Sequence, residues 1–267
     1  MLPKRDWIDM TTTDFRDGNP ETWIAVLPVA AVEQHGPHLP VATDTAIATG
    51  QVARVKELLP AELPVTFLPI QAVGKSNEHI SSPGTLTYSW ETLTRMWIEI
   101  GESVHRAGVR KLVIVNAHGG NVPIIDVVAR ELRVKLDMLV VHTAWSRFGQ
   151  PDGVFAEREF LYGIHGGEVE TSIMLHLRPD LVRMEEARDF QSTQLNFIQE
   201  FKYLRAHGLH SFGWKSLDLD PAGAVGNAGI ATADKGAASV DHAARGFVAL
   251  MDDINRFDVS RLWTPEG

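Results

Sequence analysis

Cysteine is absent from this chain of 267 residues. A disulfide framework, a thiolate nucleophile and a Cys-type zinc site are therefore excluded, and any bound metal must be held by His, Asp and Glu. Positive charge is scarce as well. Lys and Arg number 25 against 34 Asp and Glu, a formal net charge of -9. That balance offers no nucleic-acid surface and no polybasic segment for a membrane. It leaves a small-molecule substrate open, because bound divalent cations would reverse the local field. The opening residues MLPKRDWIDM lack the apolar core of a signal peptide, and no run reaches the length of a membrane span. A cytoplasmic protein is the expectation. A G-x-S-x-G elbow is also missing, which argues against a serine-hydrolase triad.

What is present reads as a soluble enzyme, with 44% hydrophobic and 22% charged residues. TWIAVLPV (22–29), PVTFLPI (64–70), RKLVIVN (110–116) and DMLVVHT (137–143) are apolar, β-branched and bounded by turn residues. Nearly continuous apolar runs fit strands covered on both faces, as in a mainly parallel sheet. Helices are expected at about 44–58, 89–107, 121–135 and 168–177, with a last one at about 235–256 capped by Thr232 or Asp234. The alternation predicts one α/β layered domain spanning 1–267. Within it, the aperiodic, glycine-bearing stretch 183–230 is expected to form an arm or lid.

The chemistry concentrates where strands run into helices. The first strand empties into EQHGPHLPVATD (33–44), which offers Glu33, His35 and Asp44, with His38 close by. The third is followed by NAHGGN (116–121), where two glycines let backbone or ligand approach His118. HGGEVETS (165–172) places His165 on a flexible turn and Glu168 and Glu170 at a helix start. Two residues on a helix differ by about 200° of rotation, so only one glutamate can face a given site. Glu168 is nearer the turn and is preferred. After the second strand, GKSNEHISSPGT (74–85) offers Ser76, Glu78 and His79 for substrate contacts. Each cluster alone has a plainer explanation as a helix start, a glycine-rich turn or a polar loop. Three junctions that each deliver His with Glu or Asp favour a metal centre.

Taken together, EQHGPHLPVATD, GKSNEHISSPGT, NAHGGN, HGGEVETS and GAVGNAGIATADKG (223–236) resemble the creatininase (creatinine amidohydrolase) family. The resemblance implies a three-layer α/β/α sandwich with a mainly parallel central sheet, a two-metal hydrolytic centre and a homohexamer built as a trimer of dimers. It implies Glu33 and His118 on one metal, His35 on the other, and Asp44 bridging. True creatininases supply the last ligand from a glutamate two residues after the NxH histidine. That position is Gly120 here. The missing carboxylate is then assigned to Glu168, beside His165, and creatinine itself is placed in doubt.

Zinc, manganese and iron(II) all suit such a ligand set, so two divalent ions, Zn2+ and/or Mn2+ with Fe2+ as a further option, are the expected cofactors. The expected reaction is hydrolysis of a non-peptide C–N bond in a cyclic amide, lactam or formamide by a metal-bridging hydroxide. His165 is the expected proton shuttle, and Ser76, Glu78 and His79 are expected to orient the substrate. Trp145 and Trp214 are candidates for pocket walls or for core. Hydrolytic ring opening of an inosose-type keto-sugar, and metal binding without turnover, are the alternatives.

Overall fold

The computed structural model describes residues 2–262. In chain order the helices are α1 Thr12–Asp17, α2 Thr43–Leu58, α3 Trp90–Arg106, α4 Val122–Leu136, α5 Glu157–Tyr162, α6 Glu168–Leu177, α7 Gln194–Glu200, α8 Ser216–Leu219 and α9 Ala233–Arg256. The strands are β1 Ile24–Val29, β2 Val65–Phe67, β3 Lys111–Asn116, β4 Leu139–Ala144, β5 Asp189–Phe190 and β6 Gly226–Asn227. The first four form one parallel sheet in the order β2-β1-β3-β4. A small antiparallel pair, β5 and β6, lies within the arm.

Successive strand side chains point to opposite faces, and that alternation builds the two cores. Ala25, Leu27, Val29, Leu112 and Ile114 face one side and pack against Leu93 and Trp97 of α3 and Ile125, Val128 and Leu132 of α4. Ile24, Val26, Val113 and Val115 face the other, against Val52 and Val55 of α2 and Phe247, Met251 and Ile254 of α9. The result is a three-layer α/β/α sandwich around a mainly parallel sheet. Every residue of β1 and β3 is buried, which is why both read as unbroken apolar runs. Trp145 belongs to the second core, its ring 5.1 Å from Phe247. It walls no pocket.

Helix boundaries follow local chemistry. Ser89 accepts from Thr92 N at the start of α3, and Thr232 accepts from Lys235 N at the start of α9. Asp137 closes α4 in the left-handed region at φ 54°. The buried Lys111 ammonium donates to the carbonyls of Ile254, Asn255 and Phe257, satisfying the C-terminal end of α9 from the sheet. Among the described residues, no helix is long and apolar enough to cross a membrane.

The chain leaves β1 for β2 on one side and crosses to β3 on the other. The crevice over the carboxyl ends of β1 and β3 is thus the switch point where open α/β sheets bind ligands.

Candidate metal centre

The loops after β1, β2 and β3 are tied into one rigid floor by the asparagines of NAHGGN. Asn121 is fully buried; its Oδ1 accepts from Lys75 N at 2.8 Å and its Nδ2 donates to Ala30 O at 3.0 Å. Nδ2 also lies 3.2 Å from Asn116 Oδ1, which accepts from His118 N at 3.1 Å. One side chain thereby links all three loops. Gly74 permits this approach, because a Cβ there would meet the Asn121 carboxamide and the Ala30 carbonyl.

Above that floor stand Glu33 and His35 from the β1 loop, Asp44 from the first turn of α2, and His118 from the β3 loop. All four are buried. Ala42 is the N-cap of α2, so Asp44 is available to the centre rather than committed to capping. His118 Nδ1 lies 3.2 Å from Glu33 Oε1 and 3.3 Å from Asp44 Oδ2, while His35 Nε2 lies 3.4 Å from Asp44 Oδ1. Asp44 presents one oxygen to each histidine. Donors held about 2.1 Å from one tetrahedral ion stand roughly 3.4 Å apart, so these separations are those of ligands around a cation.

The remaining nitrogens of the two imidazoles are oriented by backbone. His118 Nε2 is 2.8 Å from Lys75 O, and His35 Nδ1 is 3.1 Å from Glu33 O. A carbonyl only accepts, so these nitrogens carry protons, and His118 Nδ1 and His35 Nε2 are the nitrogens turned to the centre that could offer lone pairs to an ion. Among the described residues both Glu33 carboxylate oxygens, Asp44 Oδ2 and His35 Nε2 have no hydrogen-bond partner. Burying unpaired ionised oxygens costs several kcal/mol, and a divalent cation among them removes that cost. The residues fit a metal.

The two glutamates of HGGEVETS part company. Glu170 Oε2 accepts from Gly166 N at 2.6 Å and reaches to 3.8 Å from His35 Nε2. Glu168 turns the other way, buried against Lys235 of α9, while its backbone N–H donates to Glu159 Oε1. The assignment of the missing carboxylate to Glu168 is therefore corrected: α6 is already helical at both positions, and its rotation delivers Glu170 to the centre. Glu168 does not stand where a catalytic group would touch the reacting atoms. Gly120 could not carry a ligand in this backbone, because a Cβ there would overlap the Glu78 carboxylate and the Lys75 carbonyl.

Of the other predicted residues, His165 and His79 are brought to the rim of the same cluster. His165 Nδ1 is 3.7 Å and His79 Nε2 3.4 Å from Glu33 Oε1. Glu78 Oε1 is 3.6 Å from His118 Nε2, its side chain still 18% exposed. Ser76 is fully buried with Oγ 3.4 Å from His118 Nε2, placed behind a ligand rather than facing open space. Trp214, from the arm, meets His79 edge-on at 6.5 Å. Two residues complete the surroundings: His38, named from the sequence only as a neighbour, and Gln34, not singled out there. His38 Nε2 lies 3.0 Å from both Gly166 O and Thr171 Oγ1, fastening the HGGEVETS turn to the β1 loop. Gln34 binds between Glu33 and His35. Both sit inside the EQHGPH run, and position between ligands was the available signal.

The electrostatics divide the imidazoles. Burial disfavours charge on His35, yet Asp44, Glu170 and Glu33 outweigh it and push the group up to about 10. His118 is raised for the same reason: burial opposes its charge, and Glu33 and Asp44 overcome that. Burial pulls His79 down to about 4 and His165 well below the usual imidazole range. Burial lifts Glu170 to about 7. His165 is thus a neutral imidazole beside two histidines on which the surrounding carboxylates favour positive charge.

Comparison with known proteins agrees with this geometry. Residues 8–251 match the family described as creatininase, creatinine amidohydrolase. The chain is 34% identical over 247 residues to the mycofactocin precursor peptide peptidase of Mycobacterium tuberculosis, covering 90% of this chain and 86% of that protein. It is 34% identical over 178 residues to the creatinine amidohydrolase of Pseudomonas putida, covering 62% and 68% of the two chains. The solved structure of a creatininase with Mn superposes with a TM-score of 0.73 at 25% identity, covering 95% of this chain and 99% of that one.

Proposed function

The chain belongs to the creatininase family of metal-dependent hydrolases, and from that premise we propose that it hydrolyses an amide C–N bond at a dinuclear centre. Glu33, His118 and Asp44 Oδ2 would hold one divalent ion, and His35, Asp44 Oδ1 and Glu170 the second. The observation that supports two ions rather than one is Asp44, whose two oxygens stand 3.3 Å and 3.4 Å from different imidazoles. Manganese or zinc suits this nitrogen and carboxylate set.

When bound, such a pair polarises a substrate carbonyl and acidifies a water molecule. The chain's own residues supply the proton handling and the orientation. His165 Nε2 donates to Gln34 O at 2.7 Å, which leaves the Nδ1 lone pair facing the centre. His165 Nδ1 would accept the proton of the attacking water and return it to the nitrogen that leaves. Glu78, partly exposed beside His118, would hold a polar group of the substrate. Ser76 would act on His118 rather than on substrate.

The scissile bond in this reading includes peptide bonds, which the sequence expectation left out. The peptidase relative covering 90% of the chain supports the widening. Assembly as a trimer of dimers belongs to the same proposal, and sedimentation velocity checks it.

The test is a substrate panel run on manganese-loaded, zinc-loaded and chelator-treated protein. It holds short peptides, creatinine, cyclic amides, formamides and an inosose-type ketone. Metal-dependent release of amine from an amide is the expected result, abolished by chelator and restored by metal. Turnover of the ketone alone would overturn the amide assignment. Stoichiometric metal with no turnover anywhere on the panel would favour a binding protein.

A further inference from the structure

Gln34 is buried between two ligand-bearing positions, and its carboxamide is fully engaged. Oε1 accepts from Gly36 N at 2.9 Å, and Nε2 donates to Gly223 O at 2.8 Å. A backbone N–H can only donate and a carbonyl can only accept, so these two partners fix which end of the amide is NH2. The same Nε2 lies 2.8 Å from His79 Nδ1. That imidazole nitrogen must therefore accept, and the His79 proton sits on Nε2, the atom 3.4 Å from Glu33 Oε1. Protonated there, His79 offers the centre a hydrogen-bond donor and no lone pair, so it is not a metal ligand.

The backbone of the same residue treats the second imidazole oppositely. Gln34 O lies 2.7 Å from His165 Nε2, which must donate, and His165 Nδ1 is left as an acceptor facing the centre. The Gln34 Nε2 protons are committed to Gly223 and His79, so its 3.2 Å approach to His165 Nε2 is contact without a bond.

We infer that residue 34 is a positioning residue that sets the Nε2-protonated tautomer on both His79 and His165, turned so that one offers the centre a donor and the other a base, and that the arm locks it in place through Gly223. Gly223 adopts φ +77°, and a Cβ on it would overlap the Gln34 carboxamide. Two residues on, Val225 exchanges backbone hydrogen bonds with His165, 2.6 Å from Val225 N to His165 O and 3.3 Å from His165 N to Val225 O. Residues 223–225 of the arm thus hold both imidazoles: His79 through Gln34, His165 directly. The two rings lie 4.3 Å apart, and Glu33 Oε1 is within reach of one nitrogen of each, 3.4 Å from His79 Nε2 and 3.7 Å from His165 Nδ1. A substrate or water at that carboxylate would meet an N–H on one side and a lone pair on the other. This assignment of roles rests on the hydrolytic reading, but the tautomers do not.

The experiment is long-range proton–nitrogen correlation on the zinc-loaded protein carrying 15N only in histidine, with His79 and His165 signals identified by their loss in His79→Asn and His165→Asn. Expected are Nε2-protonated tautomers for both rings. In Gln34→Met, which keeps length and removes the amide, the His79 signal should lose its single-tautomer position while His165 keeps it. Gly223→Ala, which acts from the arm side, should disturb His79 in the same way and covers the case in which Gln34→Met does not fold. His79 found Nδ1-protonated in the unaltered protein, or unmoved in both variants, overturns the inference. If a panel substrate is turned over, Gln34→Met should lower kcat about 10–100-fold with KM little changed. The same substitution in a His79→Ala background should then cost less than about 3-fold, whereas equal losses in both backgrounds would mark a merely structural role.

Discussion

Glu168 and Glu170 are two positions apart on one helix and live in different environments. Glu170 reaches His35 across the centre, whereas Glu168 is buried against Lys235. Their substitutions should separate cleanly. Glu170→Gln removes one of the three groups assigned to the second ion, so metal analysis after dialysis should fall from about two equivalents toward about one. Glu168→Gln should keep both equivalents. It should instead lower stability by about 1–3 kcal/mol in urea denaturation, because a half-buried Lys235 loses its partner. Full metal in Glu170→Gln with loss in Glu168→Gln would reverse the assignment. The sequence contained the choice but not its answer. Rotation along α6 says that only one glutamate faces the centre, yet the lysine that claims the other lies 67 residues away. Gln34 was hidden for a related reason. An amide's role depends on which partners its two ends meet, and Gly36 lies two residues away in sequence while Gly223 lies 189.

At the level of elements, the buried strands announced themselves, since β1 and β3 have no polar face to interrupt their apolar runs. Helices with strong caps and amphipathic faces, such as α3 and α9, were legible too, because Ser89 and Thr232 are local signals. The arm was not. Its pieces are short, and their order comes from distant contacts such as Arg183 N to His38 O at 2.9 Å. The packing of α6 on α9 is similarly non-local and rests on Gly236, where a Cβ would overlap the backbone carbonyl of Ser172. In an exposed helix interior, replacing glycine by alanine gains about 1 kcal/mol. Gly236→Ala should do the reverse. The helices would have to separate, lowering stability by about 1–3 kcal/mol in chemical denaturation. Since α6 carries Glu170, metal retention should weaken with it. A stabilised Gly236→Ala protein would show that the two helices yield readily at this crossing.

For the whole molecule, the imidazoles set opposing pH dependences once metal is removed. His38 and His79 are held down near 4 and His165 well below the usual imidazole range, all chiefly by burial. The unfolded chain binds more protons at these sites between about pH 4 and 6.5, so their contribution to stability rises with pH across that window. Glu170, lifted by burial to about 7, works against them as one group against three. His35 and His118 behave oppositely: burial opposes their charge, but the surrounding carboxylates raise both, His35 to about 10. Their contribution is complete below about pH 6.5 and is lost as pH climbs toward 10. Chelator-treated protein should therefore be most stable near neutrality and lose thermal stability steadily between pH 7 and 10. Metal changes the alkaline side in a way that can be checked. A bound ion requires His35 and His118 without their protons on the ligating nitrogens, so the charge that alkali would remove is already replaced by the cation. Melting curves of manganese-loaded protein should stay flat from pH 7 to 10 while those of the chelated protein fall. At roughly 2–4 °C per kcal/mol for a chain near this size, the divergence is measurable by calorimetry. Parallel curves for the two forms would mean that the ion is not held by these histidines.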